Sequence, residues 1–205
     1  MINFLYLGLI LLSILVSMTL HEAMHAFTSF WLGDDTAKIS GRLTLNPLAH
    51  IDPFTTIALP LLLVVLGLPP FGAAKPVPFN PNKVRYGEFG AALVGLAGPL
   101  TNLLLACIAG LLVRLVGDNS IASLILQSFG LVNISFFVFN MIPFPPLDGS
   151  RALYALAPDS IRRFMEVLES MGIMALALFM LLFYTFLSDP FVRVVQWLMR
   201  VILGI

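Results

Sequence analysis

Long apolar runs separated by short polar stretches set the pattern of this chain. The runs fall at about 3–32, 54–68, 88–116, 120–142 and 171–187. A helix needs about 20 apolar residues, with a range of roughly 17–25, to cross the hydrocarbon of a bilayer. The first, third and fourth runs exceed that length and the fifth only just reaches it. The second is short and holds Pro60, which predicts a re-entrant or peripheral segment.

The stretches between the runs carry different signals. Residues 33–53 are polar, and residues 69–87 are rich in Pro and Gly. Both read as turns and short pieces of extended chain, with small extended or β elements predicted at 36–45 and 69–81. The Pro-rich stretch 69–81 admits two readings. It is either an extended edge able to pair with an unwound peptide or a rigid loop packed on the bundle. Residues 143–170 open on a Pro cluster and continue as a polar segment that reads as helical. Beyond Pro190, the residues Arg193, Gln196 and Arg200 share one helical face beside Trp197. That arrangement predicts an interfacial amphipathic helix, with a further membrane segment as the alternative. The fold class expected is an all-α polytopic membrane protein in one domain, 1–205. Its core is three transmembrane helices (3–32, 88–116 and 120–142), with a further helix at 171–187.

Composition agrees with this picture. The chain is 59% hydrophobic and 11% charged, against about 25% charged in soluble domains, and its mean hydropathy is +0.98. Formal net charge is zero, so nothing points to nucleic acid. The single cysteine, Cys107, sits in an apolar run, forms no internal disulfide and is expected to pack. Residues 1–20 contain no Lys, Arg, Asp or Glu. They lack the basic start and small-residue cleavage site of a signal peptide, so the segment is expected to be retained as a membrane helix.

Against that background, His21-Glu22-Ala23-Met24-His25 is out of place. Ionisable groups at membrane depth are costly and mark functional sites by default. Residues four apart on a helix share a face, so His21 and His25 can bind one ion together. A catalytic zinc needs a third protein ligand and an open position. One further histidine exists, His50, so the third ligand is either that residue or a carboxylate. The favoured carboxylate is Asp148, in Pro143-Phe144-Pro145-Pro146-Leu147-Asp148-Gly149. These prolines force irregular backbone at the membrane border, which is tolerated only where protein or a water-filled cavity covers it. Glu22 is spaced to act as a general base toward a zinc-activated water. His50 reads mainly as a residue bridging loop backbone, and Asn133 as an interhelical packing residue. For Asn102, packing and an active-site role stand level.

These residues resemble the site-2 protease family of intramembrane zinc metalloproteases, in its compact form. The resemblance rests on His21-Glu22-x-x-His25, on Asn140-x-x-Pro143-x-Pro145-x-Leu147-Asp148-Gly149, and more weakly on Gly98-Pro99-Leu100-Thr101-Asn102. The loop from Gly41 to Pro53 is similar to compact prokaryotic members as well. The resemblance implies one zinc ion on His21, His25 and Asp148, with Glu22 as catalytic base. It implies cleavage of peptide bonds within transmembrane segments of membrane protein substrates, in regulated proteolysis or clearance of signal-peptide remnants. It also implies that Asn102 and Asn140 border the site and bind substrate backbone or an oxyanion. No stretch is long enough for a PDZ or CBS domain.

Geometry then constrains topology. Both ligand motifs lie near the C-terminal ends of their helices, so the first and fourth runs must be parallel to share one ion. The run at 54–68 should therefore not cross. With the N-terminus outside, Lys38, Arg42, Lys75, Lys83, Arg85, Arg151, Arg162 and Arg163 lie inside and Arg114, Arg193 and Arg200 outside. The positive-inside rule prefers this arrangement, which puts the site nearer the cytoplasmic face of the cell membrane. A metal transporter and a non-catalytic membrane scaffold are the rival functions. The transporter would need access from both faces, and the scaffold has no use for Glu22. The partners expected are transmembrane substrates and the lipid bilayer, with self-association left open.

Overall fold

The computed structural model describes residues 4–65, 72, 74–117 and 120–205. The first helix, α1, runs Phe4–Trp31. It contains several hydroxyl residues, and these are satisfied within the helix: Ser13 and Thr19 donate to the carbonyls of Leu9 and Leu15, each at 2.7 Å. Such back-bonding is how a hydroxyl tolerates an apolar surrounding. Its inward face is built of Ser17, His21, Ala23, His25, Ala26 and Ser29. Small residues let helix backbones approach closely where no water drives association.

A short helix, α2 (Thr36–Ile39), follows. An extended element was expected at 36–45, and a helix stands at its start instead. The reason is Asp34, fully buried, whose Oδ1 accepts from both the Thr36 N–H and the Thr36 hydroxyl and turns the chain there. Among the described residues no strand occurs. Of the expected extended element at 69–81, residues 69–71 and 73 lie outside the described residues. The remainder, 72 and 74–81, contains no strand and makes no ladder. Pro76, Pro78 and Pro81 supply no N–H to one.

The described part of the 54–68 run is a π-turn, Pro53–Ala58, followed by α3, Leu59–Val65. At 1.5 Å per residue these reach about 20 Å, short of the roughly 30 Å hydrocarbon thickness. The long helix α4, Gly87–Val116, opens at Tyr86 and Gly87, both at positive φ, and stops at Gly117. Helix α5, Ile121–Asn140, is capped by the Ser120 side chain, which accepts from the Ser123 N–H. Two polar helices follow, α6 (Gly149–Leu156) and α7 (Asp159–Ser170).

The C-terminal part differs from the sequence reading. Helix α8 (Ile173–Leu182), a π-turn (Phe183–Leu187), α9 (Ser188–Leu198) and a last π-turn (Met199–Leu203) run on without a break. Together they make one element, Met174–Leu203, long and apolar enough to cross a membrane. The segment expected at 171–187 is thus longer, and the interfacial helix expected after Pro190 belongs to it. Pro190 follows closely on the π-turn Phe183–Leu187, where the hydrogen-bond ladder already changes register, and such π-bulges are where a helix accommodates a kink without ending. Packing holds the element in place, with Val195 and Leu203 buried against Ala106, Ala109 and Ile134. Cys107, expected to pack, faces outward from α4.

Among the described residues, four elements are therefore long and apolar enough to span: Phe4–Trp31, Gly87–Val116, Ile121–Asn140 and Met174–Leu203. Their contacts show that they alternate in direction. The Arg85 amide before α4 donates to the Leu32 carbonyl after α1. At the other end, the Arg114 guanidinium near the close of α4 reaches the Val201 and Ile202 carbonyls. The described part of the 54–68 run, residues 54–65, is not among them, and α1 and α5 run parallel.

Candidate metal centre

Three elements build the site. Helix α1 presents His21 and His25 from adjacent turns. Helix α4 backs them with Gly98. A Cβ at position 98 would collide with His25 Nε2 and come within 2.7 Å of His21 Nε2, so the imidazoles occupy the space that only glycine leaves open. The loop after α5 brings Asp148, which sits where α6 begins. Gly95 permits this, because a Cβ there would lie 2.8 Å from the Arg151 Cβ and 3.1 Å from the Asp148 carbonyl. The loop itself rests on an aromatic cluster. Phe179 is 1% exposed, and its ring lies 5.6 Å from Phe139 and 5.4 Å from Phe144.

Asp148 Oδ2 lies 3.0 Å from His21 Nε2 and 3.4 Å from His25 Nε2, and the two Nε2 atoms are 3.0 Å apart. The opposite ring nitrogens are engaged elsewhere. His25 Nδ1 lies 2.7 Å from the Val94 carbonyl, and His21 Nδ1 lies 2.6 Å from Asn102 Oδ1. Carbonyl oxygens only accept, so each Nδ1 carries the proton. In the neutral rings both Nε2 atoms then present lone pairs toward each other and toward a carboxylate oxygen. Three electron-rich atoms so converged fit a cation. A tetrahedral zinc about 2.0–2.2 Å from each ligand would hold them roughly 3.4 Å apart, within a few tenths of an ångström of the observed spacing.

A buried polar chain stands behind His21. Asn102 and Asn133 are both fully buried. The Asn102 amide N–H donates to Asn133 Oδ1 at 2.8 Å, and Asn133 donates to the Ser17 hydroxyl at 2.8 Å. The chain fixes which way Asn102 points, and so which nitrogen of His21 bears the proton. Such outer partners are how metal sites set tautomer and ring orientation. Behind His25, Pro99 withholds an N–H from the Gly95 carbonyl.

Glu22 is half-buried, and its Oε2 accepts from the Val77 N–H at 3.1 Å. Asn140 uses its amide N–H on the Phe136 carbonyl of its own helix. His50 is buried in the loop after α2, with Nε2 bonded to the Thr44 carbonyl. Among the described residues, the group able to hold a metal ion is His21, His25 and Asp148. The sequence reading kept Asn133 as packing and gave no part to Val94 or Val77. An asparagine in an apolar helix is the only trace Asn133 leaves in the sequence. Backbone groups leave none.

A multi-pass helical bundle that gathers two histidines and an aspartate from one α1 turn pair and one Pro-rich loop defines a membrane metallopeptidase class. Comparison with known proteins agrees. Residues 115–184 match the family described as "Peptidase family M50". The chain is 40% identical over 185 residues to "Putative zinc metalloprotease YwhC" of Bacillus subtilis, covering 86% of this chain and 80% of that protein. It is 32% identical over 198 residues to "Putative zinc metalloprotease Rip2" of Mycolicibacterium smegmatis, covering 94% and 74%. Against the protein of the same name in Mycobacterium tuberculosis it is 35% identical over 192 residues, covering 90% and 70%. No solved structure matches the chain. The chain belongs to peptidase family M50, the site-2 protease family of zinc metalloendopeptidases, and is a multi-pass membrane protein.

Proposed function

We propose that this protein is a zinc-dependent intramembrane endopeptidase, a single membrane-embedded domain over 1–205 that cuts peptide bonds within transmembrane segments of other membrane proteins. The observation that carries the reading is the convergence of His21 Nε2, His25 Nε2 and Asp148 Oδ2, with Glu22 beside them. Membership of a peptidase family supports it.

In this reading His21, His25 and Asp148 hold one zinc ion, which when bound supplies a Lewis acid and an acidified water. Glu22 Oε2 is held by the Val77 amide, which leaves Oε1 to accept a proton and later return it to the leaving amine. Asn102 keeps the proton of His21 on Nδ1, so that Nε2 stays a ligand. Asn140, half-buried in the last turn of α5, is assigned to substrate backbone. The site lies at the end of α1 and α5. The balance of Lys and Arg supports an orientation with that end, and the site, on the cytoplasmic side of the cell membrane.

The test is Glu22→Gln in the full chain, purified and assayed for zinc content and for cleavage of a generic single-span substrate. Zinc should be retained and cleavage lost by about a hundredfold to ten-thousandfold, the scale of removing a positioned base. Cleavage at the native rate would refute the role of Glu22. Transport of zinc into sealed vesicles, undiminished in the variant, would favour a carrier instead.

A further inference from the structure

Between Lys75 and Pro81 the sequence reads Lys-Pro-Val-Pro-Phe-Asn-Pro. Three of its seven positions have no backbone N–H. Three of the N–H groups it does have are committed inward. The Lys75 amide donates to the His50 carbonyl at 2.9 Å. The Val77 amide donates to Glu22 Oε2 at 3.1 Å, and the Asn80 amide to Asp34 Oδ2 at 2.7 Å. The two flanking anchors are buried groups, since His50 and Asp34 are both 0% exposed. The segment is thus pinned on either side of Val77. The Arg151 guanidinium also lies 5.7 Å over the Phe79 ring, which ties the segment to the helix that opens at Asp148.

We propose that the Val77 amide is a positioning donor for Glu22, and that the Pro76–Pro78 frame fixes it there. This rests on the reading of Glu22 as the base. A glutamate on a helix has three side-chain torsions and several rotamers. The helix backbone restricts the first torsion, whereas the donor that holds the carboxylate comes from a segment far along the chain. Binding one carboxylate oxygen fixes the direction of the other. Prolines on both sides hold φ near −65° and narrow the paths along which the Val77 amide could turn away. They also strip donors from the opposite edge at 76 and 78. A peptide strand laid along that edge would find carbonyls at these positions and no N–H groups. The segment therefore serves Glu22 better than it serves as an outward pairing edge.

Val77→Pro removes the N–H, while Val77→Ala trims the side chain and keeps the N–H. In the zinc-loaded full chain, kcat on a single-span substrate should be about tenfold to a hundredfold lower for Val77→Pro than for Val77→Ala, the scale of one hydrogen bond to a charged group. KM should agree within about twofold between the two variants, and zinc content should be equal. Equal kcat values would overturn the proposal. So would a loss shared by both variants and confined to KM, which would make Val77 a substrate contact. A second measurement does not depend on Val77→Pro folding. Amide exchange of Val77 should quicken about tenfold in Glu22→Ala while that of Lys75 is unaltered, and unchanged exchange at Val77 would overturn the proposal. If Glu22→Gln still cleaves while Val77 exchange responds, the hydrogen bond stands and the assignment of Glu22 as base falls instead.

Discussion

At Gly98 a single methyl group decides whether the site can exist. Its Cβ would occupy the space of both Nε2 atoms, and neither imidazole can retreat while its Nδ1 is held by Val94 or Asn102. Gly98→Ala should therefore abolish zinc binding by the purified protein, measured as metal per chain, while helix content is retained. Asn102 acts at one remove. Asn102→Ala removes the acceptor that keeps the His21 proton on Nδ1, and zinc affinity should fall about tenfold to a hundredfold, as for other partners of metal-bound histidine. A chelator competition titration reads that loss. Asn133→Ala should give a smaller loss in the same direction, because Asn133 only orients Asn102.

The elements around the site set its rigidity. Phe179 joins the C-terminal span to the loop that carries Asp148. Phe179→Ala should destabilise the fold by about 3 kcal/mol, the lower end of the range for such truncations. Water exclusion adds little in lipid, so the lost packing is the main term. Unfolding in mixed micelles would measure it. Helices α6 and α7 are joined by Tyr154, whose hydroxyl donates to Glu166 Oε1 at 2.6 Å, and by Arg162, which donates to the Tyr154 and Ala155 carbonyls. The hydrogen bond to Glu166 pushes the Tyr154 phenol up to about 12. A raised folded-state value favours the protonated phenol. Its contribution is complete below about pH 10, the ordinary tyrosine value, and is lost as pH rises through about 12. Stability should therefore fall across that window, and Tyr154→Phe should remove this component of the fall. The exposure of the pair limits its size.

Across the whole molecule, four alternating spans put both termini on one side and the α6–α7 region on the other. Reporters fused at residue 205 and inserted at residue 160 should appear on opposite sides of the membrane. Agreement between the two would contradict the arrangement of α1, α4, α5 and the Met174–Leu203 element. Much of this was legible in the sequence. Apolar length decides what can cross hydrocarbon, so the runs at 3–32, 88–116 and 120–142 translate directly into α1, α4 and α5. Helical period alone places His21 and His25 on one face. The need for two ligand motifs to meet at one depth already denied a crossing to 54–68. The C-terminal element was not legible. Pro190 and the face of Arg193, Gln196 and Arg200 read as a boundary, because whether a proline breaks a helix depends on the turn before it and on the packing around Val195 and Leu203.

By itself, then, the sequence determined the class of fold, the metal-binding character of the site and the side chains that could supply it. Those follow from length, period and the chemistry of His, Glu and Asp, which no packing changes. The tertiary structure alone decided the atoms that hold these groups in place. The Val94 carbonyl, the Val77 amide and the space at Gly98 have no side-chain signature. Asn102, Asn133 and Ser17 form a chain only because three helices pass close together there. The proton on His21 and the direction of Glu22 are set by neighbours far along the chain, brought together by folding.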